Sequence, residues 1–88
     1  MKRTDLFLQT FANYLRLDRG LSLKTVEAYS ADVADFAKTY PSTELLVAAN
    51  REEVTHYLHK LAINKINGRS RARKLAALRS FLDRKSVV

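Results

Sequence analysis

The sequence predicts an all-α fold, a single small bundle of four helices. Three observations predict it. Only two glycines and one proline interrupt 88 residues. Apolar residues recur at helical spacing in four separate segments, as they do when one face of a helix is turned to a core. No run alternates apolar and polar residues between turn signals in the manner of a half-buried strand. With 47% apolar residues and short connections, the chain has the makings of one compact core.

The first helix spans about residues 5–19, with Thr4 as its N-cap and Phe7, Phe11, Tyr14 and Leu15 on one face. Gly20 ends it, because glycine accepts the left-handed conformation that closes a helix. Ser22 caps the second helix, about 22–39. Its apolar stripe is Val26, Tyr29, Val33, Phe36, Ala37 and Tyr40, with Pro41 just beyond. PSTELLVAA, residues 41–49, is a connector with room for one helical turn. Asn50 and Glu53 form a capping-box pattern that opens the third helix, about 51–63. Val54, Tyr57, Leu58 and Leu61 follow on its inner face. The loop NKING leads to Ser70, the expected cap of a fourth helix at about 70–84. Residues 1–88 form one domain, with no internal repeat and no low-complexity tract.

Charge is unevenly spread. Residues 1–59 hold seven basic and eight acidic side chains, whereas residues 60–88 hold nine basic and one acidic, Asp83. Such asymmetry points to a polyanionic partner. There is no cysteine, which removes disulfides and thiolate-bound zinc. No apolar run approaches the ~18 residues of a membrane span, and the opening MKRTDLFLQTF does not read as a signal peptide. His56 and His59 lie three apart without a suitable third ligand, so no metal and no cofactor is expected.

The stretch GRSRARKLAALRSF, Gly68 to Phe81, carries five cations and no acid. On a helical wheel Leu75, Leu78 and Leu82 cluster, with Phe81 at their edge. Arg69, Arg73, Ala76, Ala77, Ser80 and Arg84 fall opposite. Long cations set among very small residues suit close approach to phosphates or to a guanine edge in a major groove. Lys74 and Arg79 flank that face, and Arg71 is expected to splay outward from the first turn. On the second helix Lys24, Ala28 and Ala31 lie opposite the valine stripe, with Thr25 to one side. Ser22, Lys24 and Thr25 sit in a first turn, where the macrodipole favours a phosphate. Glu27, Asp32 and Asp35 make the rest of that helix unsuited to DNA.

These residues also resemble a known family. LDRGLSLKTVEAYSADVADF, Leu17 to Phe36, is similar to the segment L…RGLS…T…Y…D…F at the start of tyrosine site-specific recombinases, the phage integrases and Xer-type resolvases. NREEVTHYLHKL resembles that family's next helix, and RARKLAALRSF its R..LSALRSF helix. The three pieces occur in order over about residues 5–84. The resemblance implies the N-terminal core-binding domain, a SAM-like orthogonal bundle that forms one jaw of a clamp around double-stranded DNA. It implies that the second and fourth helices face the major groove. Carried onto matching positions, that gives Ser22, Lys24, Thr25 and Ala28, then Arg69, Ser70, Arg73, Ala77, Ser80 and Arg84. With Lys74 and Arg79, these are the expected DNA-binding residues.

Family members continue into a catalytic domain with a His-x-x-Arg pair and a nucleophilic tyrosine. This sequence has no His-x-x-Arg. The expectation is therefore a non-catalytic piece of a longer recombinase, partnered by its DNA site and by other recombinase subunits. It would lie in the cytoplasm with the nucleoid and not on a membrane. The alternative is a helical module that assembles subunits without touching DNA. A membrane-surface or RNA-binding bundle ranks behind both.

Overall fold

A computed structural model describes residues 3–86, with side chains from Leu6 to Arg84 apart from Thr43. It contains five helices: α1 (Arg3–Leu17), α2 (Leu23–Ala37), α3 (Thr43–Val47), α4 (Arg51–Ile63) and α5 (Gly68–Ser86). No strand occurs among the described residues, so the chain is all-α, as expected. Its extents are 33 × 28 × 24 Å.

Local chemistry sets most of the boundaries. Gly20 takes φ +64°, and Leu21 N–H reaches back to the Leu15 carbonyl at 3.1 Å, closing α1. Ser22 is extended, and its Oγ accepts from Thr25 N–H at 3.2 Å. Such a cap contributes about 1 kcal/mol. The capping box at α4 is complete: Glu53 N–H donates to Asn50 Oδ1 at 2.9 Å, and Asn50 N–H donates to Glu53 Oε2 at 3.3 Å.

Two local expectations are corrected, and the helical turn expected in the connector is present. α1 already includes Arg3, so Thr4 lies in its first turn and does not cap it. Asn67 caps α5 in place of Ser70: Asn67 Oδ1 accepts from Ser70 N–H at 2.8 Å, and its carbonyl from Arg71 N–H at 3.0 Å. The connector forms a true short helix, α3, capped by Ser42. It is part of the core, because Leu46 and Ala49 are fully buried.

The core is organised around Phe81. Its ring makes edge-to-face contacts with Phe7 at 5.6 Å, Phe36 at 6.2 Å and Phe11 at 6.4 Å between centroids. Phe36 extends the cluster to Tyr57 at 5.0 Å and Tyr40 at 5.2 Å. Edge-to-face geometry suits the ring quadrupole and adds to the area each ring buries. Leu15, Val26, Val33, Val54 and Leu78 complete the interior.

That cluster decides how α5 is turned. Its innermost residues are Ala77, Leu78 and Phe81, while Leu75 is 38% exposed. The helix is therefore rotated by about 100°, one residue, from the direction of its leucine stripe. A phenylalanine ring meeting three other rings outweighs one leucine. Asp32 on α2 completes the turn by drawing in Lys74.

Candidate nucleic-acid interface

α2 and α5 run in opposite directions along a shared seam. Near the start of α2, Arg19 Nη1 donates to Ser80 Oγ at 3.4 Å. Toward the end of α2, Asp32 meets Arg73 and Lys74. Asp32 is only 1% exposed, and a buried carboxylate is costly without partners. Three hydrogen bonds satisfy it. Arg73 donates through Nε to Oδ2 at 2.8 Å and through Nη2 to Oδ1 at 3.0 Å. Lys74 Nζ donates to Oδ1 at 3.0 Å and lies 3.6 Å from Asp35. The hydrogen bonds and charge of Asp32 hold the Arg73 guanidinium above its ordinary pKa. Burial pushes the Lys74 ammonium down, but Asp32 and Asp35 outweigh it and leave the value raised.

The expected DNA-binding residues of α5 fall into two groups. Ala77 and Ser80 are buried, so neither faces a partner. Their small size makes room for the neighbouring helices, not for a duplex. Arg84 is half-buried; its guanidinium lies 5.4 Å from the centre of the Tyr14 ring, and its Nε is enclosed. The Lys74 side chain is 12% exposed and committed to the two aspartates. These four do not form the outward ridge that the leucine stripe suggested. Arg71 does not splay outward either: it folds back to donate from Nε to the Ile66 carbonyl at 3.0 Å.

The second group does face outward. Arg69 and Arg79 are exposed, Ser70 is half-buried, and the Arg73 side chain remains 49% exposed despite its pair with Asp32. Around the turned helix, Arg69, Ala72, Ala76 and Arg79 share the outward arc with one acid, the exposed Asp83. Cations again alternate with small residues, one wheel position from where the sequence placed them. On α2, Ser22 and Lys24 are exposed, and Thr25 and Ala28 are half-buried. Arg19, exposed beside the cap and touching Ser80, belongs to the same region and was missed. Its signals in the sequence are a cation directly before the Gly20 turn and its place as the arginine of the RGLS piece. Asp35 at the far end is flanked by Lys38 at 3.5 Å and by Lys74.

Arg79 also borders a second feature. A groove of about 500 Å³ between the start of α4 and the outer side of α5 is lined by Asn50, Arg51, Val54, Leu75, Arg79 and Leu82, among others. Among the described residues, no group of three or more His, Asp or Glu could hold a metal ion, and no helix is long and apolar enough to cross a membrane.

The chain is an all-helical bundle with exposed cations on α2 and α5, and comparison with known proteins assigns its lineage. Residues 8–85 match the family model "Phage integrase, N-terminal SAM-like domain". The chain belongs to that family. It is 33% identical to the tyrosine recombinase XerC of Oceanobacillus iheyensis over 93 aligned positions, covering 100% of this chain and 30% of that protein. It is 38% identical to a tyrosine recombinase of Pseudothermotoga lettingae, covering 86% of this chain and 28% of that protein. With XerD of Halalkalibacterium halodurans it shares 35% identity over 84% of this chain and 26% of that protein. The chain thus spans less than a third of the length of these relatives. No solved structure matches it.

Proposed function

We propose that this chain is a DNA-positioning domain of a tyrosine recombinase, and that it grips duplex DNA with the outward side of the α2–α5 seam. The observation that carries the reading is that both helices of the seam keep cations exposed, Lys24 on α2 and Arg69, Arg73 and Arg79 on α5, with the half-buried alanines Ala28 and Ala76 beside them in the sequence. The small residues let the backbones approach a surface, and the cations reach beyond them to phosphates. Along α5, Arg73 and Ser80 are about 10 Å apart, and Arg19 reaches Ser80 from the start of α2. Arg73 and the Arg19–Ser22 corner thus mark two separate points along the seam at which phosphates could be met. Strand cleavage is assigned to the remainder of a longer recombinase, and a DNA partner puts the chain in the cytoplasm with the nucleoid.

Binding to a mixed-sequence duplex, followed by fluorescence anisotropy across a salt series, tests this reading. The logarithm of affinity should fall with the logarithm of salt at about −0.9 per phosphate neutralised. Arg69→Glu and Arg79→Glu should each weaken binding at least tenfold, whereas Lys60→Glu on exposed α4 should have a small effect. Similar losses in all three would reject the α2–α5 face, and an affinity insensitive to salt would reject DNA as partner.

One observation favours a second role, subunit assembly. The groove beside α4 exposes Leu75 between Arg51 and Arg79, and a half-exposed leucine in a groove suits a partner's apolar side chain. Sedimentation without DNA checks it: association that Leu75→Gln abolishes supports assembly through this groove.

A further inference from the structure

Arg73 meets Asp32 side-on, through Nε and Nη2. A guanidinium has five N–H donors in a rigid plane. The side-on pair uses two of them and leaves the end-on edge, both Nη1 donors and the second on Nη2, without an Asp32 partner. The Arg73 side chain is 49% exposed, whereas that of Asp32 is 2% exposed. The anchor is thus inside the protein and half of the arginine is outside. The second cation on the same carboxylate, Lys74, is nearly enclosed and adds a further constraint on where Asp32 sits.

We infer that Asp32 is a positioning residue for DNA recognition: it holds the Arg73 plane so that its end-on fork faces a phosphate or a guanine edge. This rests on the DNA-binding reading above and adds a residue that itself touches no DNA. A free arginine gives up much side-chain freedom when it binds. One already fixed by a buried carboxylate has lost most of that freedom on folding, so its contact is stronger and more directional. The end-on fork matches the two acceptors of a guanine, O6 and N7, and equally two oxygens of one phosphate.

The inference reverses the sign expected from charge alone. Removing a negative charge beside a polyanion should tighten binding. If Asp32 acts by holding Arg73, Asp32→Asn should loosen it. The experiment measures affinity of the full 88-residue chain for a mixed-sequence duplex at several salt concentrations, with circular dichroism to confirm that each variant is folded. Asp32→Asn is expected to weaken binding three- to tenfold, and the salt slope to shrink by up to about 0.9, one phosphate contact. In an Arg73→Gln background the same substitution should no longer weaken binding, because the residue it acts through is gone. Tighter binding by Asp32→Asn, or an equal loss in both backgrounds, would overturn the positioning role.

Arg73→Lys covers the case in which Asp32→Asn does not fold. It keeps the cation and leaves Asp32 paired with Lys74, but removes the fork; affinity should fall by a similar factor, and an unchanged affinity would overturn the inference. A wild-type chain that fails to bind duplex DNA sinks the parent reading and this one together. If Arg69→Glu weakens binding while Asp32→Asn does not, the face stands and only the role of Asp32 falls.

Discussion

Tyr40 shows how one side chain can make stability depend on pH. Its hydroxyl donates to Glu53 Oε2 at 3.0 Å, the same oxygen that closes the α4 capping box. Burial, then the hydrogen bond to and the charge of Glu53, push its pKa from 10.0 up to about 12. Between those values the folded chain keeps a proton that the unfolded chain has released, so stability falls as pH rises through the window. Denaturant titrations at pH 9, 10 and 11 should show that decline, and Tyr40→Phe should flatten it. Tyr57, raised by burial, and Lys74, raised by Asp32 against the effect of its burial, contribute residual slope of the same sign. At the same scale, Gly20 and Ser22 show how much a single residue can disclose. A left-handed turn and a cap are properties of a residue and its immediate neighbours, so both were legible. Arg73 was legible only as a cation. Its pairing with Asp32, 41 residues away, is a property of the packed state.

Helix α5 carries the main lesson at the scale of elements. Its leucine stripe suggested that Ala77 and Ser80 face outward, yet both are buried. Periodicity located the helix correctly but misjudged its rotation, because Leu75, Leu78 and Leu82 compete with Phe81 for the interior. The wheel counts residues, while packing weighs ring area and the need to satisfy a buried acid. The seam therefore predicts opposite outcomes for two alanines. Ala77→Leu should wedge α5 away from its neighbours and cost about 1–3 kcal/mol through overpacking. Ala72→Leu, on the exposed arc, should stay within about 0.5 kcal/mol of wild type. Chemical denaturation of the two variants checks this directly, and equal costs would mean that α5 is turned otherwise. The basic, small-residue character survives the rotation, because cations and alanines occur on both adjacent arcs of this helix.

At the scale of the whole molecule, the fold class and the four long helices could be read from spacing, caps and turn residues. The family could be read from RGLS and ALRSF in their proper order. Less legible was the part played by the segment between α2 and α4, since five helical residues give no periodicity to detect. Less legible too was the division of labour among nine cations in the last third of the chain. Some hold the bundle together, as Lys74 does with Asp32 and Asp35, and others such as Arg69 and Arg79 face outward. Net charge alone cannot separate these roles; only the positions of the aspartates on α2 do.

The short helix α3 sets where this scaffold tolerates added sequence. Leu46 and Ala49 act as a plug, so a peptide tag spliced between Ser42 and Asn50 would draw the plug out and loosen the bundle. The exposed tip at Asn64–Asn67, where Lys65 takes φ 63°, anchors no such plug. A reporter grafted between Lys65 and Ile66, which leaves the Asn67 cap of α5 in place, should lower the melting temperature less than one spliced into α3.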